Sequence, residues 1–311
     1  MRSSPEVSMT GDKALISKIQ RYSTKDGPGL RTTVFFMGCS LRCNWCANPE
    51  TLSAKPQVYY FKERCQHCGL CVQAGNGAIS FDQVGCLIDR DHCQNLAEMV
   101  ELCPFDAYET VGMWKSAEEL AEILFKDQTF YESTGGGVTF SGGEAALQSA
   151  FVLHCAKLLK QHGIHICLDT AGYVSWEHLD ALSDVVDLIL YDIKAFDPLI
   201  HKRCTGYSNE KILDHFIRLV QKKVPMRVRM IVVPDQNDDV QDLKARIDFV
   251  AKHRDCVEQV DLLNYHIYGI GKYEKLGMIY PLADQRSAAD DSLKWLLEYG
   301  EAKGLRMTIG G

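Results

Sequence analysis

The chain has 311 residues, 46% hydrophobic and 24% charged, enough for one large barrel or two ordinary domains around a full apolar core. Its net charge of -7 argues against a protein whose main task is gripping nucleic acid. No apolar run of about eighteen residues predicts a membrane span, and "MRSSPEVSMTGDKALISK" lacks the apolar stretch of a secretory signal. A cytoplasmic protein is expected, with residues 1–15 as a flexible leader.

In chain order, the first predicted strand is "TTVFFMG" (Thr32–Gly38), a β-branched and aromatic run. A cysteine-rich segment without a clear strand–helix unit then fills residues 52–112, read as an inserted domain. The pattern resumes at Ser116, where "SAEE" is a capping box opening a helix. Strands follow at "GVTFSG" (Gly137–Gly142), "HICLDT" (His165–Thr170), "VDLILYD" (Val186–Asp192), "RVRMIVV" (Arg227–Val233) and "QVDLLNY" (Gln259–Tyr265). Helical patterns near Leu147–His162, Trp176–Ser183, Glu210–Lys222 and Val240–His253 separate them. A last helix near Asp290–Lys303 precedes the strand "RMTIG". Repeated strand-then-helix order means an α/β fold with a parallel sheet. About six units fit, short of the eight of a closed barrel. Residues 16–51 and 113–311 are therefore expected to form a partial (β/α)6 TIM-like barrel. Polar and glycine-rich residues cluster after the strands, where barrel folds carry their chemistry.

Thirteen cysteines in a chain expected in a reducing compartment point to metal binding rather than disulfides. Nine fall between Cys39 and Cys103. The other four, Cys155, Cys167, Cys204 and Cys256, read as small buried hydrophobes. Cys39, Cys43 and Cys46 form C-x3-C-x2-C just after the first strand. Zinc sites take four protein ligands, usually as separated pairs. An iron–sulfur cubane held by three thiolates keeps one iron open for a small molecule. A zinc knuckle completed by a distant Cys or His is the alternative.

The insert is close to a ferredoxin pattern. Bacterial ferredoxins repeat C-x2-C-x2-C-x3-C-P, and in two-cluster forms the fourth Cys of each run serves the other cluster. Here the first run is Cys65, Cys68, Cys71, with Gly75 in fourth place; the second is Cys93, Leu96, Met99, then Cys103. One cluster keeps all four ligands, Cys65, Cys68, Cys71 and Cys103, and the other loses three. One auxiliary [4Fe–4S] cluster is expected in a ferredoxin-like insert. Cys86 and Cys93 remain as spares that either complete a second site or replace Cys103, and a zinc site is the competing reading.

The stretch "DGPGLRTTVFFMGCSLRCNWCANPE" (Asp26–Glu50) resembles the cluster region of radical S-adenosylmethionine (SAM) enzymes and, more narrowly, of the activating enzymes of glycyl radical enzymes. The similarity continues through "GGGVTFSGGE", "LDTAGYV", "YDIK", "VRMIVVP" and "YHIYGIGKYEKLG", covering nearly all of the chain after Ile16. The resemblance implies a SAM-binding [4Fe–4S] cluster on Cys39, Cys43 and Cys46. One electron, from a donor such as flavodoxin or ferredoxin, would split SAM into methionine and a 5′-deoxyadenosyl radical. That radical would take a hydrogen atom from a backbone glycine of a partner enzyme. No catalytic side chain beyond the cluster and SAM ligands is implied.

The same resemblance assigns the other site residues. Gly142, Gly143 and Glu144 would meet the methionine amino group. Lys194 and Arg229 would take its carboxylate, with Arg227 as a competitor and a plain Asp192–Lys194 rim salt bridge as the alternative. Trp45, Asn48 and His266 would lie along the adenosine, although Trp45 is equally compatible with packing. Asp169, Thr170 and Asp192 match a monovalent-cation site, although Asp169 also suits a turn cap. Asp192 would also contact SAM, and Asp26 of "DGPG" would contact the partner's glycine loop. Two departures from the family pattern stand out: Ala145 and Asn264, where proline is usual. The expected protein is a monomer free of nucleic acid and membrane. An insert of this kind resembles those in activators of decarboxylases, diol dehydratases, C–N or C–S lyases and pyruvate formate-lyase-like paralogues, and disfavours pyruvate formate-lyase itself as partner. A radical SAM enzyme acting on a small molecule, and an electron carrier or redox sensor, are the alternative functions.

Overall fold

The computed structural model describes residues 12–82, 85–285 and 290–310. Thirteen strands occur among them: β1 (Lys13–Ser23), β2 (Arg31–Phe36), β3 (Gln57–Tyr60), β4 (Ile79–Phe81), β5 (Cys86–Ile88), β6 (Tyr108–Val111), β7 (Met113–Ser116), β8 (Gly137–Gly142), β9 (His165–Thr170), β10 (Leu188–Asp192), β11 (Met226–Val232), β12 (Val257–Asn264) and β13 (Met307–Ile309). Nine of them make one sheet in the order β13-β12-β11-β10-β9-β8-β2-β1-β7. β2 and β8 through β13 run parallel, while β1 and β7 add an antiparallel edge. The two ends of the sheet do not pair, so the barrel is partial.

The six expected strand–helix units are present, and "RMTIG" supplies the seventh parallel strand. The antiparallel edge was not foreseen. After exposed Lys13, β1 has three successive buried residues, Ala14, Leu15 and Ile16, before turning to more exposed ones. That run breaks the period-two signal. Most of the expected leader, residues 1–11, lies outside the described residues; Lys13–Leu15 belong to β1.

Along β11 alternate residues Met226, Val228, Met230 and Val232 are buried against the helical layer. Arg227, Arg229 and Ile231 take the other, inward face. Helices Ala117–Phe125, Ser149–Lys160, Glu210–Gln221 and Val240–Ala251 cover the outside through Leu120, Phe151, Phe216 and Ile247. The capping box is as expected: Ser116 Oγ accepts from Glu119 N at 3.2 Å, and Glu119 Oε2 accepts from Ser116 N at 3.0 Å.

Residues between Val58 and Tyr108 share a buried cluster separate from the barrel core. β3 pairs with β6 and β4 with β5, each antiparallel. Val58, Tyr60, Ile79, Met99 and Tyr108 form the core. Arg90 fastens the insert to the barrel, donating to Val58 O at 2.7 Å and to Lys275 O at 2.9 Å.

The turn after β8 meets the cysteine loop backbone to backbone. Gly143 N donates to Phe36 O at 2.9 Å, and Glu144 N to Gly38 O at 2.8 Å. A Cβ on Gly143 would lie 2.3 Å from Gly38 O and 2.7 Å from Thr51 O. Gly143→Ala should therefore destabilise the apoprotein by about 1–3 kcal/mol, read as a lowered thermal midpoint. Gly271→Ala, where a Cβ meets nothing within 4 Å, is the control and should leave the midpoint unchanged or raise it.

Candidate functional site

The cysteine loop runs from the end of β2 to the short 3-10 turn Pro49–Leu52. It is held by main-chain bonds to distant elements. Gly38 N donates to Thr51 O at 2.8 Å, Arg42 N to Thr205 O at 2.9 Å and Asn44 N to Cys204 O at 2.9 Å. The Arg42 guanidinium donates to Cys39 O at 2.6 Å. Held this way, Cys39, Cys43 and Cys46 line one cavity of about 790 Å³ at the C-terminal ends of the strands, within the ~300–1,000 Å³ typical of small-molecule sites. Burial pushes all three thiols up, Cys43 to about 12. The Lys194 ammonium pulls Cys43 the other way. Thiols raised in this way favour their protonated form, so any metal bound here would displace their protons.

Opposite them stand the ends of β9, β10 and β11. The register sets Leu190 beside Asp169 and Asp192 beside Arg229. Asp169 accepts from Ser141 Oγ at 2.6 Å and pairs with Arg229 at 3.2 Å. Lys194 Nζ pairs with Asp192 at 2.7 Å. Burial works against the Lys194 charge, but Asp192 and Cys43 outweigh it and hold its pKa above the usual range. Arg229 is treated alike by burial against Asp169 and Asp192. Burial raises Asp169, with Arg229 opposing. Arg227 pairs with Glu258 at 3.3 Å and does not line the cavity, so Arg229 is the arginine available to a ligand carboxylate.

Gly142 and Gly143 line the cavity. Their lack of a side chain is required first by the neighbouring backbone: a Cβ on Gly142, at φ +112°, would lie 2.2 Å from Phe36 N. Glu144 is placed differently from its expected role. It does not line the cavity and is 2% exposed. Its carboxylate accepts from Thr170 Oγ1 at 2.7 Å and Ala171 N at 3.1 Å, bracing the turns after β8 and β9. Burial lifts its pKa to about 7, against those hydrogen bonds.

Asp169, Thr170 and Asp192 all face the cavity. Each is engaged within the protein, by Ser141 and Arg229, by Glu144, and by Lys194.

Trp45, Asn48 and His266 line the same cavity. Trp45 is 6% exposed and packs with Tyr265, Tyr273 and Val233, so packing is part of its role. His266 is exposed and stacks on Tyr268, ring centres 4.5 Å apart. Asn48 Oδ1 accepts from Lys272 Nζ at 2.7 Å. Asp26 also reaches the cavity wall, accepting from Thr33 Oγ1 at 2.7 Å on its carboxylate and from Thr139 Oγ1 at 2.7 Å on its carbonyl.

In the insert, Cys65, Cys68, Cys71 and Cys103 line one small void with Phe81, Phe105 and Tyr108. Cys86 and Cys93 are outside that lining: Cys86 Sγ meets Tyr108 Oη at 3.5 Å, and Cys93 Sγ meets Asn95 Oδ1 at 3.7 Å. Met99 and Ile79 are buried, and a Cβ on Gly75 would lie 2.8 Å from the Ile79 side chain.

Ser141, Glu50 and Lys272 had no expected role. All three lie inside the family-like stretches "SGGE", "CANPE" and "YHIYGIGKYEKLG", but their partners are distant in sequence and have no periodic signature.

Residues 33–247 match the family model of the radical SAM superfamily. A choline trimethylamine-lyase activating enzyme from Oleidesulfovibrio alaskensis is 37% identical over 288 residues, 91% of this chain and 93% of that one. A (2S)-3-sulfopropanediol dehydratase activating enzyme from Klebsiella oxytoca is 36% identical, with 95% and 96% covered. Among solved structures, a radical SAM methyltransferase from Sphaerobacter thermophilus matches with TM-score 0.52 at 13% identity, over 94% of this chain and 76% of that one, a likeness of fold alone. With three cysteines, two paired cations and a glycine turn around one cavity, and with these relatives spanning nearly its whole length, the chain belongs to the radical SAM superfamily and, within it, to the activating enzymes of glycyl radical enzymes.

Proposed function

We propose that the cavity holds a [4Fe–4S] cluster on Cys39, Cys43 and Cys46, with SAM beside it. The observation that carries this reading is the meeting of three thiols, Lys194, Arg229 and the Gly142–Gly143 turn on one cavity of suitable size. The donor set fits: three soft thiol ligands on one loop, with no fourth cysteine on the wall. Bound there, the cluster would supply the electron for reductive SAM cleavage, and the hydrogen removed is that of a glycine in the partner enzyme.

This chain's residues bind and orient. Lys194 and Arg229 take the methionine carboxylate while sharing Asp192 and Asp169. The Gly142–Gly143 turn receives the amino group. Trp45, Asn48 and His266 flank the adenosine, and Asp26 meets the glycine loop. A monovalent cation at Asp169, Thr170 and Asp192 would require those groups to relax their present pairings.

We further propose one auxiliary [4Fe–4S] cluster on Cys65, Cys68, Cys71 and Cys103, a flavodoxin or ferredoxin as electron donor, and a monomeric enzyme acting in the cytoplasm. The partner is a lyase or dehydratase of the kind the relatives' names describe.

Cys43→Ala should abolish 5′-deoxyadenosine formation under anaerobic reducing conditions; undiminished product would end the radical SAM reading of this loop. Lys194→Ala and Arg229→Ala should each weaken SAM binding by roughly 1.5–3 kcal/mol while iron content stays intact, measured by equilibrium titration. Unchanged affinity in both would mean that the carboxylate lies elsewhere.

Anaerobic reconstitution should give about eight irons per chain. Replacing Cys39, Cys43 and Cys46 together should leave about four, with a spectrum insensitive to SAM. Cys103→Ala should damage the remaining cluster and Cys86→Ala should not. About four irons with one zinc would instead support a structural insert.

A further inference from the structure

The helix Ile270–Leu276 touches both the cysteine loop and the insert. Toward the loop, Lys272 Nζ donates to Asn48 Oδ1 and to Glu50 Oε1, each at 2.7 Å. Glu50 is 5% exposed and sits in the turn that follows Cys46. Toward the insert, Lys275 O accepts from Arg90, and the Lys275 ammonium lies 4.4 Å from the centre of the Phe61 ring. Tyr59 of β3 lies beside Glu50 from the insert side. Tyr273, next to Lys272, packs with Trp45 and Cys43.

A buried carboxylate is costly unless a cation pairs with it, and Lys272 pairs with Glu50 at 2.7 Å. It also bonds Asn48, which faces the cavity. One ammonium therefore fixes both ends of the short arm trailing Cys46.

We propose that Lys272 is a positioning residue for the SAM site: it pins Asn48 and Glu50 against the third cysteine and ties that arm to the helix on which the insert docks. The proposal rests on Cys39, Cys43 and Cys46 holding the cluster. A hydrogen-bonded outer partner of this kind orients what touches the metal and tunes its potential. Glu50 opposes reduction of a nearby cluster, and Lys272 offsets that effect.

The test uses the full chain, reconstituted anaerobically, with iron content, SAM affinity and the midpoint potential of the SAM cluster as readouts. Lys272→Met should keep its iron and bind SAM about tenfold more weakly, because Asn48 loses its anchor. Lys272→Arg should restore most of that affinity. Glu50→Gln, which removes the negative charge and leaves Lys272, should move the potential upward. Wild-type SAM affinity in Lys272→Met together with a wild-type potential in Glu50→Gln overturns the proposal. Joint loss of iron and SAM binding in Lys272→Met, unrelieved by arginine, overturns it too, as a merely structural role. A wild-type chain that loads no cluster on the three cysteines defeats the cluster reading itself, which separates the two failures.

Discussion

The absence of side chains at Gly142 and Gly143 is the constraint on which the site depends. The turn after β8 presses so closely on the cysteine loop that its amides bond to Phe36 and Gly38 carbonyls, and no Cβ fits between them. This contact fixes the height of the three cysteines above the sheet. It also leaves the loop facing β9, β10 and β11 rather than folding away from them. The polar rim matters only because the loop is held within its reach.

The rim itself is a compact charge arrangement. Lys194, Arg229, Asp169 and Asp192 are all partly withdrawn from water, and each cation has one carboxylate. Such groups are costly to bury singly and tolerable in pairs. The pairing keeps both cations charged, so any anionic ligand entering the cavity would meet donors already fixed in place. The cost of ordering them is met on folding rather than on binding.

Much of this was legible in the sequence. Buried strands such as "GVTFSG" and "HICLDT" coincide with β8 and β9 to the residue, because apolar runs bounded by glycine or polar turns carry a clear signal. The Asp192–Lys194 rim salt bridge, the alternative to a ligand role for Lys194, is present. The misses have a common cause. β1 and β7 pair antiparallel at an edge where one face changes its covering along the strand. Glu144 belongs to a motif that suggests ligand contact, yet its carboxylate is taken by Thr170 and Ala171, residues of a different strand end. Lys272 meets partners more than two hundred positions away. Local pattern reports periodicity and turn chemistry; it does not report which distant group claims a side chain's hydrogen bonds.

The insert does not separate its apolar core from its thiols. Val58, Tyr60, Ile79 and Met99 share one buried cluster with Cys71 and Cys93, and Cys65, Cys86 and Cys103 pack against it. Cys71 and Tyr108 belong both to that cluster and to the lining of the four-thiol void. Arg90 runs from Val58, in the same cluster, to Lys275 of the barrel. A change at the void therefore reaches the docking contact through shared packing, so that the chemistry of one end of the insert and its attachment at the other report on each other.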